Sequence, residues 1–311
     1  HIAEPVNLAD KRSPWLTYRE GSRAPLRKIM GGSSDYTARE GANTGGANGI
    51  LWVEILEHLE SGLVKIRNLF NSSRRGVPAV EWVIEDNLVY PLLKGIDVKR
   101  WEADPSAHLI LTQDPNTRRG ISLPIMARNY PNTLKYLQHF EDKLSKRAAY
   151  SRYFKVTDPF YSMFNVGTYT LADIKTVWQR FGGRMKAAVV QGVTKAIIPQ
   201  ETHTMIACRS VEEAWYLTGI LNSLPIEYAI SSFSMVGGKS FAGPNLLNSI
   251  KIPLYTGLSS QRRIIEAARM VAAGHLPDIY LAWEVAEYYG ITSFEFNEMK
   301  KGWEEIGLES S

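Results

Sequence analysis

A glycine-rich segment near the start of the chain is the first candidate for chemistry. Residues 38–52 read AREGANTGGANGILW, with glycine at 41, 45, 46 and 49 and asparagine at 43 and 48. Glycine and asparagine adopt positive φ angles at little cost, so the segment predicts a shaped loop that opens into an ordered element at Ile50. A dinucleotide-binding loop needs G-x-G-x-x-G between a strand and a helix, and these four glycines do not have that spacing.

A second glycine cluster, Gly238-Lys239-Ser240, imitates the end of a P-loop. The first glycine of that motif would stand at position 233, where the chain has Phe233. Without it the turn that wraps a phosphate is missing, which excludes a P-loop. Both glycine clusters therefore need another function.

Two sets of side chains could hold a metal ion. His203 and Cys208 are the one close His/Cys pair, and the chain has no second pair at zinc-ligand spacing, which favours a strand-edge histidine and a core cysteine. Asp158, Asp173 and Lys175 could instead hold Mg²⁺ and position a water molecule in a nuclease. Such D…D-x-K patterns are common by chance, so a turn at Asp158 and a cap at Asp173 are the favoured interpretation.

Methyl transfer to adenine would need a methyl-donor loop and an Asn-Pro-Pro-aromatic tetrapeptide. The chain contains no Pro-Pro pair and no loop of the required type. We therefore expect no catalytic residues, no bound cofactor and no metal in this chain, and no methyl transfer by it alone.

Composition indicates an ordinary folded protein, with 311 residues, 44% hydrophobic and 22% charged. No apolar run approaches the roughly 18–20 residues of a membrane span. The single cysteine excludes an internal disulfide framework, and no secretory signal is present, so a cytoplasmic location is expected.

The charge is unevenly distributed. Residues 266–311 carry nine acidic and three basic residues, whereas residues 1–265 carry 33 basic and 23 acidic ones. Two windows, residues 174–200 and 228–265, contain basic residues and no acid. Basic windows beside glycine and aromatic residues fit a polyanionic partner, although an ordinary solvated surface gives the same pattern.

The elements that must position these residues are mixed. Short β-branched runs predict strands at residues 63–66, 79–84, 108–112, 185–190, 204–207 and 250–253. Helical spacing predicts an amphipathic helix over 131–151, a helix capped by Ser210, and helices from Gln261 onward with breaks near 274–277 and at Gly290. Without regular βαβ alternation, this order predicts an α+β fold with a helical C-terminal extension.

Several segments, in order, resemble the C-terminal region of adenine-specific DNA methyltransferases of restriction–modification systems, of the Eco57I-like and TaqI-like type. In that family this region includes the target-recognition domain, which reads double-stranded DNA. The matching segments are Tyr36–Val53, Val89–Trp101, Tyr136–Arg147, Pro159–Trp178, Leu221–Ser223 and Gly238–Pro253.

The resemblance implies three parts. Residues 1–37 would be an irregular lead-in or a connection to a catalytic domain absent from this chain, residues 38–260 the target-recognition domain, and residues 261–311 a helical extension. Catalysis and S-adenosylmethionine binding would belong to that catalytic domain, on the same or a partner chain. The acidic helical tail has no counterpart that we can place.

Candidate DNA-binding residues are polar loop residues and basic pairs in turns next to glycine. A nuclease using Asp158, Asp173 and Lys175, and a protein-interaction module using the acidic tail, remain as alternatives. The candidates for DNA contact are Asn43, Thr44, Asn48, Arg74, Arg75, Arg118, Arg119, Lys239 and Ser240.

Overall fold

The computed structural model describes residues 1–30, 32–73, 76–155, 157–233 and 242–309, with side chains as far as residue 305. Strands and helices are mixed along this part of the chain, which gives the α+β fold that the sequence predicts. The strands are β1 (Ile2–Pro5), β2 (Trp15–Tyr18), β3 (Arg39–Glu40), β4 (Trp52–His58), β5 (Leu63–Asn68), β6 (Glu81–Glu85), β7 (Val89–Leu93), β8 (Ala107–Ile110), β9 (Gln113–Asp114), β10 (Arg119–Gly120), β11 (Ile174–Gln179), β12 (Ala187–Gln191), β13 (Ile198–Pro199) and β14 (His203–Ala207). The helices are α1 (Arg23–Ile29), α2 (Asn48–Leu51), α3 (Leu123–Asn129), α4 (Pro131–His139), α5 (Glu141–Ser145), α6 (Ala148–Tyr153), α7 (Val211–Leu221), α8 (Leu224–Phe233), α9 (Ser259–Ala272), α10 (Asp278–Tyr288) and α11 (Ser293–Glu309).

Two larger sheets form the framework. A six-stranded sheet has the order β13-β7-β8-β4-β5-β6, and its strands are antiparallel except for the β13–β7 pair. Strand β5 has the alternating burial of a strand with one face on the core. Val64, Ile66 and Asn68 are buried, and the residues between them are partly exposed. An antiparallel four-stranded sheet has the order β12-β11-β14-β3.

Each sheet contributes to its own hydrophobic core. One core joins the six-stranded sheet to residues of α3–α5 and to the segment that contains Phe160, Tyr161 and Met163. The other core joins Trp178 and Ile206 of the four-stranded sheet to α7–α11 and to the first 30 residues of the chain. The glycine-rich loop lies where the two sheets meet, because β3 pairs with β14 and Ala42 pairs with Gln200 beside β13.

Most of the predicted elements are present, with two corrections. The capped helix is confirmed: the side chain of Ser210 accepts a hydrogen bond from the backbone nitrogen of Glu213. The C-terminal helices are confirmed, with breaks at Gly274 and Gly290, whose φ angles are +73° and +67°. The helix expected over residues 131–151 is instead the separate helices α4 and α5 and part of α6. Residues 250–253 contribute one isolated bridge, from Ile250 to Met30, rather than a strand.

The expectation of an irregular lead-in is wrong. Within residues 1–37, β1 and β2 form an antiparallel hairpin, and α1 follows it. Leu16, Tyr18, Leu26 and Ile29 are almost completely buried against the C-terminal helices, which supply the apolar surface that local periodicity does not reveal. The proposed division of the chain into three parts stays a prediction. In the part of the chain that the structure describes, no helix is both long and apolar enough to cross a membrane.

Candidate nucleic-acid interface

The glycine-rich loop is fixed at both edges by backbone hydrogen bonds. The backbone nitrogen of Ala42 donates to the carbonyl oxygen of Pro199 at 2.8 Å, and Asn43 and Phe164 exchange two backbone bonds of 3.1 and 2.8 Å. A Cβ atom at Gly41 would lie 2.1 Å from the carbonyl oxygen of Gln200, so only glycine fits there. The loop is therefore a fixed wall between β13 and the aromatic segment that contains Phe164.

Its own side chains close the loop. The Oδ1 atom of Asn43 accepts a bond from the backbone nitrogen of Gly45 at 2.8 Å. The Thr44 hydroxyl, which is 1% exposed, accepts a bond from the Ala47 nitrogen at 3.1 Å and also pairs with the side chain of Asn48. Thr44 therefore shapes the loop from inside, as expected of a threonine that caps a turn.

A buried arginine holds the loop in place through hydrogen bonds to backbone carbonyl oxygens. Arg147 is 5% exposed, and its guanidinium donates to the carbonyl oxygens of Leu144 at 2.8 Å, Phe160 at 2.7 Å, Ser162 at 3.0 Å and Thr44. Burial lowers its pKa to about 10. In the predicted amphipathic helix, Arg147 would lie on the polar face. The structure buries Arg147 instead, because the surrounding backbone carbonyl oxygens need hydrogen-bond donors.

A cavity of about 630 Å³ opens above the loop on the side of β3 and β10. Its walls come from the loop, from the β9–β10 hairpin and from the aromatic segment after α6. We call it the aromatic cavity. The side chains that characterise it are Asn43, Arg39, Arg118, Tyr153, Phe164 and Tyr169.

At the edge of this cavity, the guanidinium groups of two arginines lie close to the ring of Tyr169. The guanidinium carbon of Arg39 lies 5.5 Å from the centroid of Tyr169, and that of Arg118 lies 5.7 Å from it. Burial raises the pKa of Tyr169, and the two positive charges oppose that rise. Neither arginine forms an ion pair with any residue that the structure describes. The hairpin fixes Arg118, since its nitrogen donates to Asp114 at 2.8 Å and its φ is +58°.

A second cavity, of about 750 Å³, lies on the other side of Gly45. Asn48, Lys143 and Lys146 line it together with the loop. Both cavities include Gly45 and Ala149, so they lie next to each other on either side of these residues. We call the two cavities together the groove.

The structure brings some of the predicted DNA-contact residues together. Asn43 and Arg118 line the aromatic cavity, and Asn48 lines the second cavity. Arg119 lines a separate cavity of about 680 Å³ behind the hairpin. Thr44 is buried, and DNA contact by all these residues stays a prediction. Arg74, Arg75, Lys239 and Ser240 lie outside the described residues.

Sequence reasoning missed several residues of the aromatic cavity. The high density of aromatic residues in segment 150–169 favours a hydrophobic core, and the structure divides that segment. Tyr161 and Met163 are fully buried, whereas Tyr153 is 64% exposed and lines the cavity with Phe164 and Tyr169.

Three of the five basic residues in the first acid-free window are not free on the surface. Lys175 is fully buried, Arg180 pairs with Glu40, and Lys195 lies 2.7 Å from the carboxylate of Asp86. Acids distant in sequence neutralise Arg180 and Lys195, which a count along the chain cannot detect. The expectation of a polyanion surface here is wrong for these three residues.

The residues of the alternative nuclease site have separate structural roles. The Nζ atom of Lys175 donates to the carbonyl oxygens of Ala172 and, at 3.0 Å, Ile197. Asp158 accepts a bond from the backbone nitrogen of Lys155 at 2.8 Å and closes a turn there. Among the residues that the structure describes, no group of three or more His, Cys, Asp or Glu side chains is arranged to hold a metal ion.

His203 and Cys208 occupy the two ends of β14. His203 is completely buried, and neither ring nitrogen has a partner in the described part of the chain. Burial lowers the pKa of His203 to about 4 and raises that of Cys208 to about 11. Both groups are therefore held in their neutral forms at pH 7.

Comparison with known proteins finds likenesses among solved structures, including the two that follow. No protein-family model matches the chain, and no curated protein matches it significantly. The structure of the type IIL restriction-modification enzyme MmeI in complex with DNA matches with a TM-score of 0.46 and 11% identity, covering 94% of this chain and 37% of that one. The type IIG restriction endonuclease BpuSI matches with a TM-score of 0.42 and 14% identity, covering 93% of this chain and 34% of that one. The chain thus spans little more than a third of either enzyme, and at these values the likeness assigns neither a ligand nor a residue role.

Proposed function

We propose that the groove binds double-stranded DNA. The observation that carries this proposal is a set of exposed arginines around the aromatic cavity and the neighbouring hairpin and helix. None of them forms an ion pair with a described residue. These arginines are Arg39, Arg118, Arg119 and Arg152.

The acids of the same face do not cancel this charge. Glu40 is paired with Arg180, and Asp142 lies 2.6 Å from Lys146. Elsewhere, Arg23, Arg27 and Arg263 are paired with glutamates, whereas Arg128, Arg184 and Arg262 are exposed and form no ion pair with a described residue. Unpaired cations along a groove attract a polyanion, and their contacts with phosphates would set affinity and register.

Sequence reading would come from polar side chains at the groove floor. Asn43 and Asn48 are held by the loop at the borders of the two cavities. The Oδ1 atoms of Asn43 and Asn48 accept hydrogen bonds inside the loop, so their amide nitrogens are the groups that would donate to an acceptor on a base edge. The fixed loop would place these amides without a large loss of conformational entropy on binding.

We further propose that this recognition serves an adenine-specific DNA methyltransferase of a bacterial restriction–modification system. The ordered series of resembling segments supports that assignment, and the groove would provide the DNA-binding surface that it requires. Methyl transfer and S-adenosylmethionine binding would belong to a catalytic domain on the same or a partner chain, acting in the cytoplasm. The chain alone would then bind DNA without modifying it.

The test is binding of a fluorescent duplex of mixed sequence, measured by anisotropy over a range of salt concentrations. The double variant Arg39→Ala/Arg118→Ala should bind at least about tenfold more weakly, with a log–log salt slope smaller by about 1.8 because two phosphate contacts are lost. Arg262→Ala is the matched control, since Arg262 is exposed in the second acid-free window and donates to the carbonyl oxygen of Gly257. Equal losses in both variants, or a salt-independent affinity, would refute binding through the groove.

A further inference from the structure

The aromatic cavity has the features of a site for a single nucleotide rather than for a stacked duplex. We infer that it binds the base of a nucleotide that has left the DNA stack, with that nucleotide's phosphate between Arg39 and Arg118. This inference rests on the proposed function. It concerns a base other than the adenine that a catalytic domain would methylate.

Aromatic rings supply the stacking surface. Phe154 and Phe164 pack with centroids 4.5 Å apart, and Tyr153 meets Phe164 edge-on at 5.8 Å and 88°. Phe154 and Phe164 are half-buried, but Tyr153 is 64% exposed at the cavity wall. Such a large apolar ring left in water beside a cavity favours a flat ligand, and base–aromatic stacking contributes about 1–3 kcal/mol per base.

Two asparagine amides present opposite hydrogen-bonding groups to the cavity. Asn43 uses its Oδ1 atom inside the loop, so its amide nitrogen has no partner among the described residues. Asn165 donates to Glu40 at 3.0 Å, which leaves its carbonyl oxygen similarly free. Its φ of +55° is a conformation that asparagine tolerates better than most residues. One donor and one acceptor fit the edge of a nucleobase, which carries both.

Arg39 and Arg118 lie where the phosphate of the bound nucleotide would be placed. Arg39 and Arg118 both contact Tyr169 and have no carboxylate partner in the described part of the chain. Guanidinium groups bind phosphate through paired N–H donors. The cavity volume of about 630 Å³ lies within the usual range for small-ligand sites, roughly 300–1,000 Å³.

The experiment compares three labelled duplexes: one fully paired, one with a single extrahelical nucleotide, and one with an abasic residue at the same bulge. The extrahelical base should increase affinity about tenfold over the abasic bulge, as expected from one stacked base. Tyr153→Ala should reduce that ratio to about one. Tyr280→Ala is the matched control, because Tyr280 is 55% exposed on α10, away from the groove, and its loss should leave the ratio unchanged.

A second variant separates stacking from edge recognition. Asn165→Gly keeps the positive φ without strain and removes the amide. It should keep the preference for a base over an abasic residue but reduce the difference among the four bases in the bulge. If the unmodified protein binds the base bulge and the abasic bulge with equal affinity, the inference is overturned. The proposed binding of duplex DNA would be unaffected by that result. Failure to bind any of the three duplexes would overturn the proposed function as well.

Discussion

At the scale of single residues, the neighbours of a charged group decide what it does. Arg118 and Arg147 are both cationic, yet Arg118 is exposed without an acidic partner in the described structure, and Arg147 is buried among carbonyl oxygens. Exposed, unpaired arginine is available to phosphate, whereas buried arginine holds the backbone in place. Lys175 belongs to the second kind, since two carbonyl oxygens occupy its ammonium group.

Arg147→Lys should lower the free energy of unfolding by about 2–4 kcal/mol, because lysine cannot reach all four carbonyl oxygens and leaves buried acceptors unsatisfied. Urea unfolding measures the change. Lys146→Ala is the control: Lys146 is 73% exposed and its ion pair lies on the surface, so a change within about 0.5 kcal/mol is expected. A loss in Lys146→Ala as large as in Arg147→Lys would contradict the role assigned to Arg147.

His203 should make stability depend on pH. Its pKa is about 4 in the folded protein and about 6.5 when exposed, so between these values the unfolded chain binds a proton that the folded one does not. Its contribution to stability is therefore lost as pH falls from about 6.5 to 4, by roughly 2–3 kcal/mol.

The variant His203→Leu should remove that part of the pH dependence. It gives up no hydrogen bond between described residues, since both ring nitrogens lack a partner there. Urea titrations at pH 7 and pH 4.5 provide the comparison. An identical loss of stability on acidification in the variant and the unmodified protein would show that other groups cause it.

At the scale of elements, the glycine-rich loop works as a joint between the two sheets. It leaves β3, bonds to β13 through Ala42 and to the aromatic segment through Asn43, and then opens into α2. Glycine is required in this loop for different reasons. At Gly41 the backbone makes a close contact, and at Gly45 and Gly46 the φ angle is positive. The loop positions both cavities at once, which explains why it contains so many residues of special geometry.

Gly41→Ala should disrupt this connection between the two sheets. The added methyl group would meet the backbone oxygens of Gln200 and Pro199 at 2.1 and 2.4 Å, so the loop must separate from β13. We expect a loss of about 2 kcal/mol or more in unfolding free energy, as for other overpacked sites, together with weaker DNA binding. Gly76→Ala is the control, because nothing lies within 4 Å of a Cβ there and its φ is not positive. Thermal unfolding of both variants tests this; equal melting temperatures would refute the close contact.

At the scale of the whole molecule, the two ends of the chain share one core. Residues of β2 and α1 pack among α8 and α11, Lys28 forms a 2.6 Å ion pair with Glu295, and the Ser22 hydroxyl donates to the carbonyl of Glu298. The acidic helices are thus partly neutralised within the chain, by Arg19, Lys28, Arg100 and Arg263. The glycine-rich loop and the aromatic segment pack in the core of the six-stranded sheet, whereas the acidic helices and the sheet that contains β3 belong to the other core.

Leu26→Ala should therefore destabilise the C-terminal helices from a distance in sequence. Leu26 is completely buried in the shared core, and such a truncation lowers the free energy of unfolding by about 2–5 kcal/mol. Hydrogen exchange should show faster exchange in α8 and α11. Leu8→Ala is the matched control, because Leu8 is 58% exposed and its loss should leave exchange unchanged. Unaltered exchange in both variants would refute the shared core.

The sequence by itself determined the features that depend on neighbours along the chain. The helix that Ser210 caps, the breaks at Gly274 and Gly290, the alternation in β5 and the α+β character all follow from local pattern. It also placed Asn43 and Arg118 among the candidates that line one cavity. Local periodicity and turn chemistry are short-range effects, so they can be read from residue order.

Only the tertiary structure decided which charges are free and which aromatic rings are exposed. Arg180 is neutralised by Glu40, 140 positions away, and Lys195 by Asp86, so their window loses the charge that a count assigns to it. Tyr161 and Tyr153 lie in the same aromatic-rich segment, yet one is buried and the other is 64% exposed. Ion pairs and burial depend on chain segments that meet only after folding, so they cannot be read from the order of residues.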